Sequence, residues 1–255
     1  MQIFHCSCKT RPLLFFESVS CTVCERITGF SDWLGKVVAF DKTQNEELFT
    51  CEEDPETLYQ RCQNSEVYGV CNGMVRLDAG IPDAKQPLVC FACQFNNMIP
   101  NLDVNENLSL WRKLEAAKRR ALFTLVALDL PVRSKTKDPE GGLSFSFLAD
   151  KQASDNFKTP LDNQEPVFTG HVNGEITINL AEADDIARTT TRIAMGEQYR
   201  TLLGHFRHET GHYYWDLLVA PNTQSAEEFK SVFGNNQLDY SSALDRYYQE
   251  GPPDN

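Results

Sequence analysis

The hydrophobic positions between Tyr199 and Leu218 recur at the spacing of an α-helix. The residues at this spacing are Tyr199, Leu202, Leu203, Phe206, Tyr213, Tyr214, Leu217 and Leu218. Such a stripe covers one side of a helix and packs against a core. Pro221 and Asn222 end the predicted helix. We therefore expect a central helix whose polar side faces away from the apolar stripe.

A second amphipathic helix is predicted between a proline-containing linker at 99–103 and a polar loop at 133–142. Its apolar stripe consists of Trp111, Leu114, Ala117, Ala121, Leu122 and Leu125. Asn107 or Ser109 is expected to cap its first turn. The basic residues of this helix, which lie mostly on its other faces, are Lys113, Lys118, Arg119 and Arg120. We expect them to form a solvated face rather than a basic patch.

Strands are predicted where apolar residues cluster or alternate with polar ones, at Leu13–Phe16, Leu143–Leu148 and Glu175–Leu180. The last strand follows Asn173-Gly174, a dipeptide typical of a tight hairpin turn. His171, just before this turn, is expected to be an exposed loop residue rather than a metal ligand.

Two further helices are predicted in the C-terminal half of the chain. Asp184 and Asp185 are expected to cap a helix that continues to Met195, before Gly196 interrupts it. A last helix is predicted over Asp239–Tyr248. The segment 151–166, rich in Asp, Asn, Gln and Pro, predicts a mobile connection.

All nine cysteines lie in the first part of the chain, which predicts a domain boundary near Asn101. Thiolates paired on tight turns are typical ligands of a tetrahedral structural zinc site. The first four cysteines form two such pairs and predict a zinc ribbon, namely Cys6, Cys8, Cys21 and Cys24. His5 competes as a ligand, but the four cysteines already complete the site.

A second structural zinc site is predicted from the later cysteines. Cys90-x-x-Cys93 has the spacing of a zinc knuckle, and the more widely spaced Cys62 and Cys71 complete the set. Cys51 is left over. It is the alternative to Cys62, but its acidic neighbours raise the pKa of a thiol and disfavour thiolate binding. The alternative for these cysteines is a set of small buried apolar residues. Both sites have complete ligand sets, and this region is expected to need metal to fold.

The central helix contains the motif H-E-x-x-H, as His208, Glu209 and His212. Residues four apart lie on one helix face, so both imidazoles can bind one metal ion. Glu209 lies beside them, where a carboxylate can take a proton from a water on that ion. Gly211 is unfavourable inside a helix, which fits a site that needs close approach to the backbone. The alternative is a buried helix with merely hydrogen-bonded histidines.

Composition narrows the choice of partners. The formal charge of -12 and the pI near 4.9 disfavour phosphate backbones and anionic lipid, so neither nucleic acid nor membrane is an expected partner. The N-terminal residues lack the apolar core of a signal peptide, which predicts a cytoplasmic protein. In a reducing cytoplasm, nine cysteines favour metal ligation over disulfides.

The chain resembles one known family in the order of four segments. These are the cysteine ribbon, NGEITINLAEAD, YRTLLGHFRHETGHYYWD and a terminal DYSSAL…YYQEGPP. It is similar to the bacterial zinc-binding metallopeptidases that carry an N-terminal zinc-ribbon region. The resemblance implies an α+β protein, with a small, β-rich double zinc ribbon over residues 1–100 and a zincin-like metallopeptidase domain over 101–255. It implies His208 and His212 as zinc ligands, Glu209 as catalytic base, and no particular substrate.

The third ligand of the expected catalytic zinc has to come from an acidic residue, because no histidine follows the motif. Asp239, which opens the predicted last helix, is the favoured candidate, while Asp245 and Glu250 remain open. The chain departs from the family pattern after Phe233-Gly234, where Asn235 and Asn236 replace acidic residues.

These observations predict a peptidase with one catalytic and two structural zinc ions, acting on a peptide or protein substrate. The strand Glu175–Leu180 is the expected edge strand that pairs with the substrate. A tyrosine is expected to stabilise the oxyanion, and the candidates are Tyr199, Tyr213, Tyr214 and Tyr240. The alternative function is a zinc-ribbon adaptor whose H-E-x-x-H domain is an inactive scaffold.

Overall fold

The computed structural model describes residues 2–77, 88–104, 106–149, 167–194, 199–236, 238–239, 241–242, 245–246 and 249. The chain forms two compact units, Met1–Thr210 and Gly211–Asn255, and the division falls within one helix. The predicted mobile connection at 151–166, the helix end at Met195 and the interrupting Gly196 lie outside the described residues.

The first unit begins with a two-stranded hairpin of β1 (Phe4–His5) and β2 (Leu13–Leu14). The strands are antiparallel, with Phe4 opposite Leu14. Both side chains are buried together with the sulfur of Cys6, so the hairpin core consists of one apolar layer and the first cysteines. The predicted strand at Leu13–Phe16 is therefore present, in a shorter form.

A closed five-stranded barrel follows the hairpin. Its strands are β3 (Ile27–Ser31), β4 (Lys36–Lys42), β5 (Phe49–Cys51), β6 (Asp54–Arg61) and β7 (Gly73–Leu77). Neighbours along the chain are antiparallel, and β3 closes the barrel by pairing with β7 in parallel. Val38, Phe40, Phe49, Tyr59 and Met74 fill its interior. The short helix α1 (Gln63–Tyr68) lies between β6 and β7.

The long helix α2 (Asn107–Ala127) buries the apolar stripe that its periodicity predicts. The expectation that its basic residues form a solvated face is wrong for two of them, since Lys118 is 0% exposed and Arg119 is 4% exposed. Each is buried because it has a polar partner. Lys118 pairs with Glu115, and Arg119 donates to the side-chain oxygen of Asn72.

A four-stranded sheet in the order β10–β11–β9–β8 packs beyond this helix. Its strands are β8 (Asn96–Met98), β9 (Ser144–Leu148), β10 (Gly170–Val172) and β11 (Glu175–Asn179). The predicted hairpin joins β10 to β11, and both turn residues have positive φ, 48° at Asn173 and 79° at Gly174. These are the values that a tight primed turn requires. His171 is half-buried, and its Nε2 accepts the N–H of Gly174.

The expectation that Glu175–Leu180 forms an edge strand is wrong. β11 has β10 on one side and β9 on the other, so its backbone groups form hydrogen bonds with a neighbouring strand on both sides. The reason is the hairpin itself, because it folds β10 back along the outside of β11. The outer strands of the sheet are β10 and β8.

Three helices complete the described chain: α3 (Asp185–Ala194), α4 (Leu202–Tyr214) and α5 (Thr223–Phe233). Asp184 caps α3 by accepting the N–H groups of Ile186 and Ala187, as predicted. A π-helical turn, Trp215–Val219, extends α4, and Asn222 caps α5. The predicted helix at Asp239–Tyr248 lies only partly within the described residues.

Candidate metal centres and the H-E-x-x-H helix

The structure brings the first four cysteines together at the base of the hairpin. The sulfurs of Cys6, Cys8, Cys21 and Cys24 all lie within 4.8 Å of one another. The Cys6 and Cys24 sulfurs are 3.7 Å apart. Zinc–sulfur bonds of about 2.3 Å give a tetrahedron with edges of about 3.8 Å, so this group has the dimensions of a zinc site.

Backbone and arginine groups donate to sulfurs of this cluster and favour a thiolate at Cys24, whereas burial raises the pKa of Cys6. The N–H groups of Val23 and Cys24 both point at the Cys21 sulfur, at 3.5 Å. The Arg26 guanidinium lies against the cluster, 4.0 Å from the Cys6 sulfur, and lowers the pKa of Cys24 to about 6. His5 is turned to the carbonyl oxygen of Arg11, at 3.0 Å, and does not join the cluster.

The second group unites four buried cysteines from three separate segments of the chain: Cys62, Cys71, Cys90 and Cys93. Cys62 follows β6 and Cys71 precedes β7, so the helix α1 between them explains their wide spacing. The sulfurs of Cys71 and Cys93 are 3.8 Å apart, again the edge of a zinc–thiolate tetrahedron. A Cβ at Gly73 would lie 2.5 Å from the Cys90 side chain, so only glycine allows this approach.

The sulfurs of the second group hydrogen-bond to one another, so neighbouring sulfurs share the thiol protons. The bond to Cys71 holds the pKa of Cys62 below its ordinary value, and the same bond raises the pKa of Cys71. A bound metal replaces such protons and requires all four groups as thiolates. Cys51 belongs to neither group. It is buried in β5, where desolvation raises the pKa of its thiol.

A buried ion pair on α2 contacts the second cysteine group. Glu115 and Lys118 are both 0% exposed, with 2.6 Å between carboxylate and ammonium. The same carboxylate lies 3.6 Å from the Cys93 sulfur and accepts a hydrogen bond from Asn96. Glu115 was not among the residues that the sequence predicted for a site. The available signal was its position, because Glu115 and Lys118 lie beside the apolar stripe at 114, 121 and 122.

The H-E-x-x-H motif lies on α4, as its periodicity predicts. Phe206 is fully buried against β9, with its ring centroid 5.5 Å from that of Phe145. His208 and His212 lie exposed on another face, one turn apart, while Glu209 is only 9% exposed. Two accessible imidazoles at this spacing fit a divalent cation.

Two features next to the motif define its surroundings. A Cβ at Gly211 would meet nothing within 4 Å, so the exposed face has open space beside His212. His205 lies one turn before the motif on the same helix. The carboxylate of Glu182 is 3.3 Å from the His205 ring and 3.1 Å from the Arg200 guanidinium. His205 is thus engaged with the segment between β11 and α3.

The structure places Asp239 at the start of a helical turn in the second unit. Its carboxylate accepts the N–H of Ser242 at 2.8 Å, and hydrogen bonds from the Ser242 side chain and backbone hold its pKa below the ordinary value. Within the described residues, three or more ligand atoms converge only in the two cysteine groups, so Asp239 stays a prediction as the third zinc ligand. Asp245 likewise remains open, and Glu250 lies outside the described residues.

The tyrosines proposed for the oxyanion differ in exposure. Tyr213 is 5% exposed, whereas Tyr199 is 79% exposed. Burial raises the pKa of Tyr214 above its ordinary value. Tyr240 lies outside the described residues.

A zinc ribbon, a second group of four cysteines and an H-E-x-x-H helix on an α+β scaffold define a metal-binding protein of the zinc-peptidase class. Residues 107–255 match the family described as "Putative zinc-binding metallo-peptidase", and residues 3–104 match a zinc-ribbon domain. The chain belongs to that metallo-peptidase family. The resemblance found in the sequence is thereby confirmed, and so is the α+β class with a zinc ribbon before a peptidase domain.

Similar proteins occur in mycobacteria. Uncharacterized proteins of Mycobacterium bovis and of two Mycobacterium tuberculosis strains are each 36% identical over 255 residues. The match covers 100% of this chain and 65% of each relative, so the chain spans about two thirds of their length. No solved structure matches the chain. Within the described residues, no helix has the length and apolarity needed to cross a bilayer.

Proposed function

We propose that this protein hydrolyses peptide bonds in a zinc-dependent reaction with Glu209 as general base. One observation carries the proposal. The helix α4 presents His208 and His212 exposed and one turn apart, with Glu209 beside them, in a chain of a zinc-binding metallo-peptidase family. Metal binding alone requires only the histidines, whereas the adjacent carboxylate adds a group that can move a proton.

The residues that would hold the catalytic zinc are His208, His212 and, as third ligand, Asp239, with Asp245 or Glu250 as the alternatives. When bound, zinc polarises the scissile carbonyl and lowers the pKa of a coordinated water towards about 7. The two cysteine groups would hold two structural zinc ions, because four sulfurs fill each tetrahedron and no ligand position is left for chemistry.

Glu209 performs the proton transfers in this scheme. Its carboxylate oxygen accepts a proton from the attacking water and then passes it to the leaving amine. Its backbone is held by its neighbours, since Phe206 is buried and the Thr210 hydroxyl donates to the Phe206 carbonyl oxygen at 2.7 Å. A fixed backbone limits the positions that the Glu209 carboxylate can take.

We further propose a peptide or protein as the substrate and a reducing, cytoplasmic location. The net charge of -12 repels nucleic acid and anionic membranes. Eight cysteines in two groups of sulfur ligands require thiols, which a reducing compartment maintains.

The substitution Glu209→Gln tests the base. It keeps size and hydrogen bonding but removes the proton acceptor, so hydrolysis of a broad peptide library should be abolished. Zinc content, measured by elemental analysis, and thermal stability should stay at the parent values, because Glu209 is not a ligand. Hydrolysis that survives in Glu209→Gln at the parent rate would refute Glu209 as the base.

A second candidate function is a zinc-ribbon adaptor with an inactive peptidase domain. It is favoured by Asn235 and Asn236, which stand where related chains are expected to be acidic, and by Asp239, which already serves as a helix cap. A parent protein that cleaves no peptide in the library while its H-E-x-x-H site is loaded with zinc would support the adaptor.

A further inference from the structure

An apolar groove lies between the zinc-ribbon hairpin and the first half of α4. Its volume is about 410 Å³. Ile3, Leu13 and Phe15 line it from the hairpin, and Leu203 and Arg207 line it from α4. The groove therefore joins the ribbon to the helix of the H-E-x-x-H motif, and Arg207 directly precedes His208 in the chain.

The hairpin side of the groove includes three side chains that the ribbon core does not use. Ile3 is 62% exposed, Leu13 is 50% exposed and Phe15 is 67% exposed. The core takes the residues between them, Phe4 and Leu14. Three large apolar side chains grouped on a small hairpin form a patch of the kind that marks an interaction site.

The helix side of the groove supplies a positive charge without a partner. In the part of the chain that the structure describes, the Arg207 guanidinium makes no hydrogen bond or ion pair. Arg120, which also lines the groove, is occupied by both carboxylate oxygens of Glu17, at 2.6 and 2.7 Å. On a protein of net charge -12, Arg207 thus marks the groove for a ligand with a carboxylate.

We propose that this groove docks an extended, apolar segment of the protein substrate that carries an acidic residue, whose carboxylate pairs with Arg207. The proposal rests on the peptidase function proposed above, since it makes the zinc ribbon part of substrate recognition.

The test measures binding in the full-length, zinc-loaded Glu209→Gln protein, in which a bound peptide is not cleaved. The probe is a fluorescein-labelled peptide that alternates valine and aspartate, compared by anisotropy with one that alternates valine and lysine. The aspartate peptide should bind, and the lysine peptide should bind more weakly. Arg207→Glu should weaken binding of the aspartate peptide about fivefold, which is the upper range for an exposed ion pair.

Matched controls separate the groove from general surface effects. Arg133→Glu makes the same charge change at an exposed loop residue outside the groove and should leave affinity unchanged. Phe15→Ser should weaken binding about tenfold, because an aromatic side chain then loses its burial on docking. Phe168→Ser, at a phenylalanine that is 78% exposed, should have no effect.

The outcomes distinguish docking from catalysis. Equal affinity for both peptides, or equal effects of Arg207→Glu and Arg133→Glu, would overturn the docking site even if the parent cleaves peptides. Binding with the expected pattern but no cleavage by the parent would keep the docking site and refute the peptidase function. Dimerisation that is lost in Phe15→Ser but kept in Phe168→Ser would assign the groove to a second copy of this chain and overturn the proposal.

Discussion

The open space at Gly211 is the feature of the motif that a single methyl group can test. Glycine inside a helix costs about 1 kcal/mol relative to alanine. Since a Cβ at this position meets nothing within 4 Å, Gly211→Ala should raise Tm by about 2–4 °C, measured by calorimetry. Because the methyl projects beside His212, we expect peptide hydrolysis to fall in the same variant. The helix would then carry glycine for access and not for stability.

Gly204 offers a comparison on the same helix. A Cβ there would lie 2.9 Å from the Thr201 hydroxyl, so Gly204→Ala should bring no gain in Tm. If Gly211→Ala is more stable and hydrolyses peptides at the parent rate, the space beside His212 has no part in substrate access.

Asp239 can be a helix cap, a zinc ligand or both, and two substitutions separate these roles. Asparagine caps helices about as well as aspartate, whereas alanine does not. As a neutral amide, however, asparagine is a weaker ligand for zinc than a carboxylate. Asp239→Asn should therefore weaken zinc binding at the H-E-x-x-H site and keep Tm, while Asp239→Ala should reduce both. Competition with a chromogenic chelator measures the affinity.

If Asp239→Asn keeps the full zinc affinity, Asp239 is a helix cap and not a zinc ligand. The next variants would then be Asp245→Asn and Glu250→Gln, and the one that loses zinc affinity would identify the ligand.

At the residue scale, the sequence predicted the helix with His208, Glu209 and His212 because these groups are local. Their relation depends only on helical periodicity, which a few apolar neighbours reveal. The third ligand could not be predicted in the same way. A ligand from the C-terminal segment is separated from the motif by some thirty positions of chain, and Asp239 has an ordinary local role as a helix cap.

At the scale of elements, α2 depends on the buried pair of Glu115 and Lys118. Removal of one member leaves the other charged and buried, which typically costs about 3–5 kcal/mol. Glu115→Ala should therefore lower the free energy of unfolding by about that amount, measured by urea denaturation. The double variant with Glu115→Leu and Lys118→Met should recover most of the loss, because apolar side chains of similar volume leave no buried charge.

An exposed pair on the same helix is the control. Lys113 pairs with Asp185 at 2.8 Å, and their side chains are 45% and 67% exposed. Lys113→Ala should lower the free energy of unfolding by no more than about 1 kcal/mol. A loss as small as this in Glu115→Ala would mean that the buried pair does not stabilise α2.

The cysteine groups permit a matched test, since Cys51 is buried but belongs to neither group. Cys21→Ala and Cys71→Ala should each lose one zinc ion per chain by elemental analysis, because three sulfurs leave a tetrahedron incomplete. Cys51→Ala should keep the parent zinc content. Loss of zinc from Cys51→Ala, or its retention in Cys71→Ala, would contradict the assignment of ligands.

Element prediction succeeded where the pattern was local and failed where partners were distant. The hairpin at Asn173-Gly174 and the stripe of α2 follow from short-range signals. The barrel was not predicted, because its closure depends on the pairing of β3 with β7, far apart in the chain. Arg119 was misplaced for the same reason, since its buried partner Asn72 lies far away in the chain. Lys118 was misplaced although Glu115 lies only three residues before it, because the helical pattern was read as a solvated face.

At the scale of the whole molecule, the two cysteine groups and the H-E-x-x-H helix belong to different parts of the chain, but α2 contacts both cysteine regions. Arg120 binds Glu17 next to the first group, and Glu115 contacts Cys93 in the second. Lys118 also lies 5.9 Å above the ring of Phe147, and that ring packs on Phe206 of α4. One helix therefore supports the ribbon, the second cysteine site and the base of the motif helix.

This arrangement leads to a prediction of the total metal content. Two four-cysteine groups and one histidine pair should bind three zinc ions per chain, measured by elemental analysis of gently purified protein. The double variant His208→Ala and His212→Ala should contain two, because its cysteine groups are unchanged. The histidines that it replaces are exposed and not part of the core, so Tm should fall only by the stabilisation that the bound zinc supplied.

Chelators should remove the metal ions in a definite order. Four thiolates bind zinc more tightly than two imidazoles and a carboxylate, since thiolates are the softer ligands. A moderate chelator should therefore remove one zinc ion and abolish peptide hydrolysis while the circular dichroism spectrum stays unchanged. Stronger chelation should remove the other two and unfold the ribbon, whose small core includes the cysteines themselves. A parent protein with only two zinc ions, and the same two in the double histidine variant, would show that α4 binds no catalytic zinc.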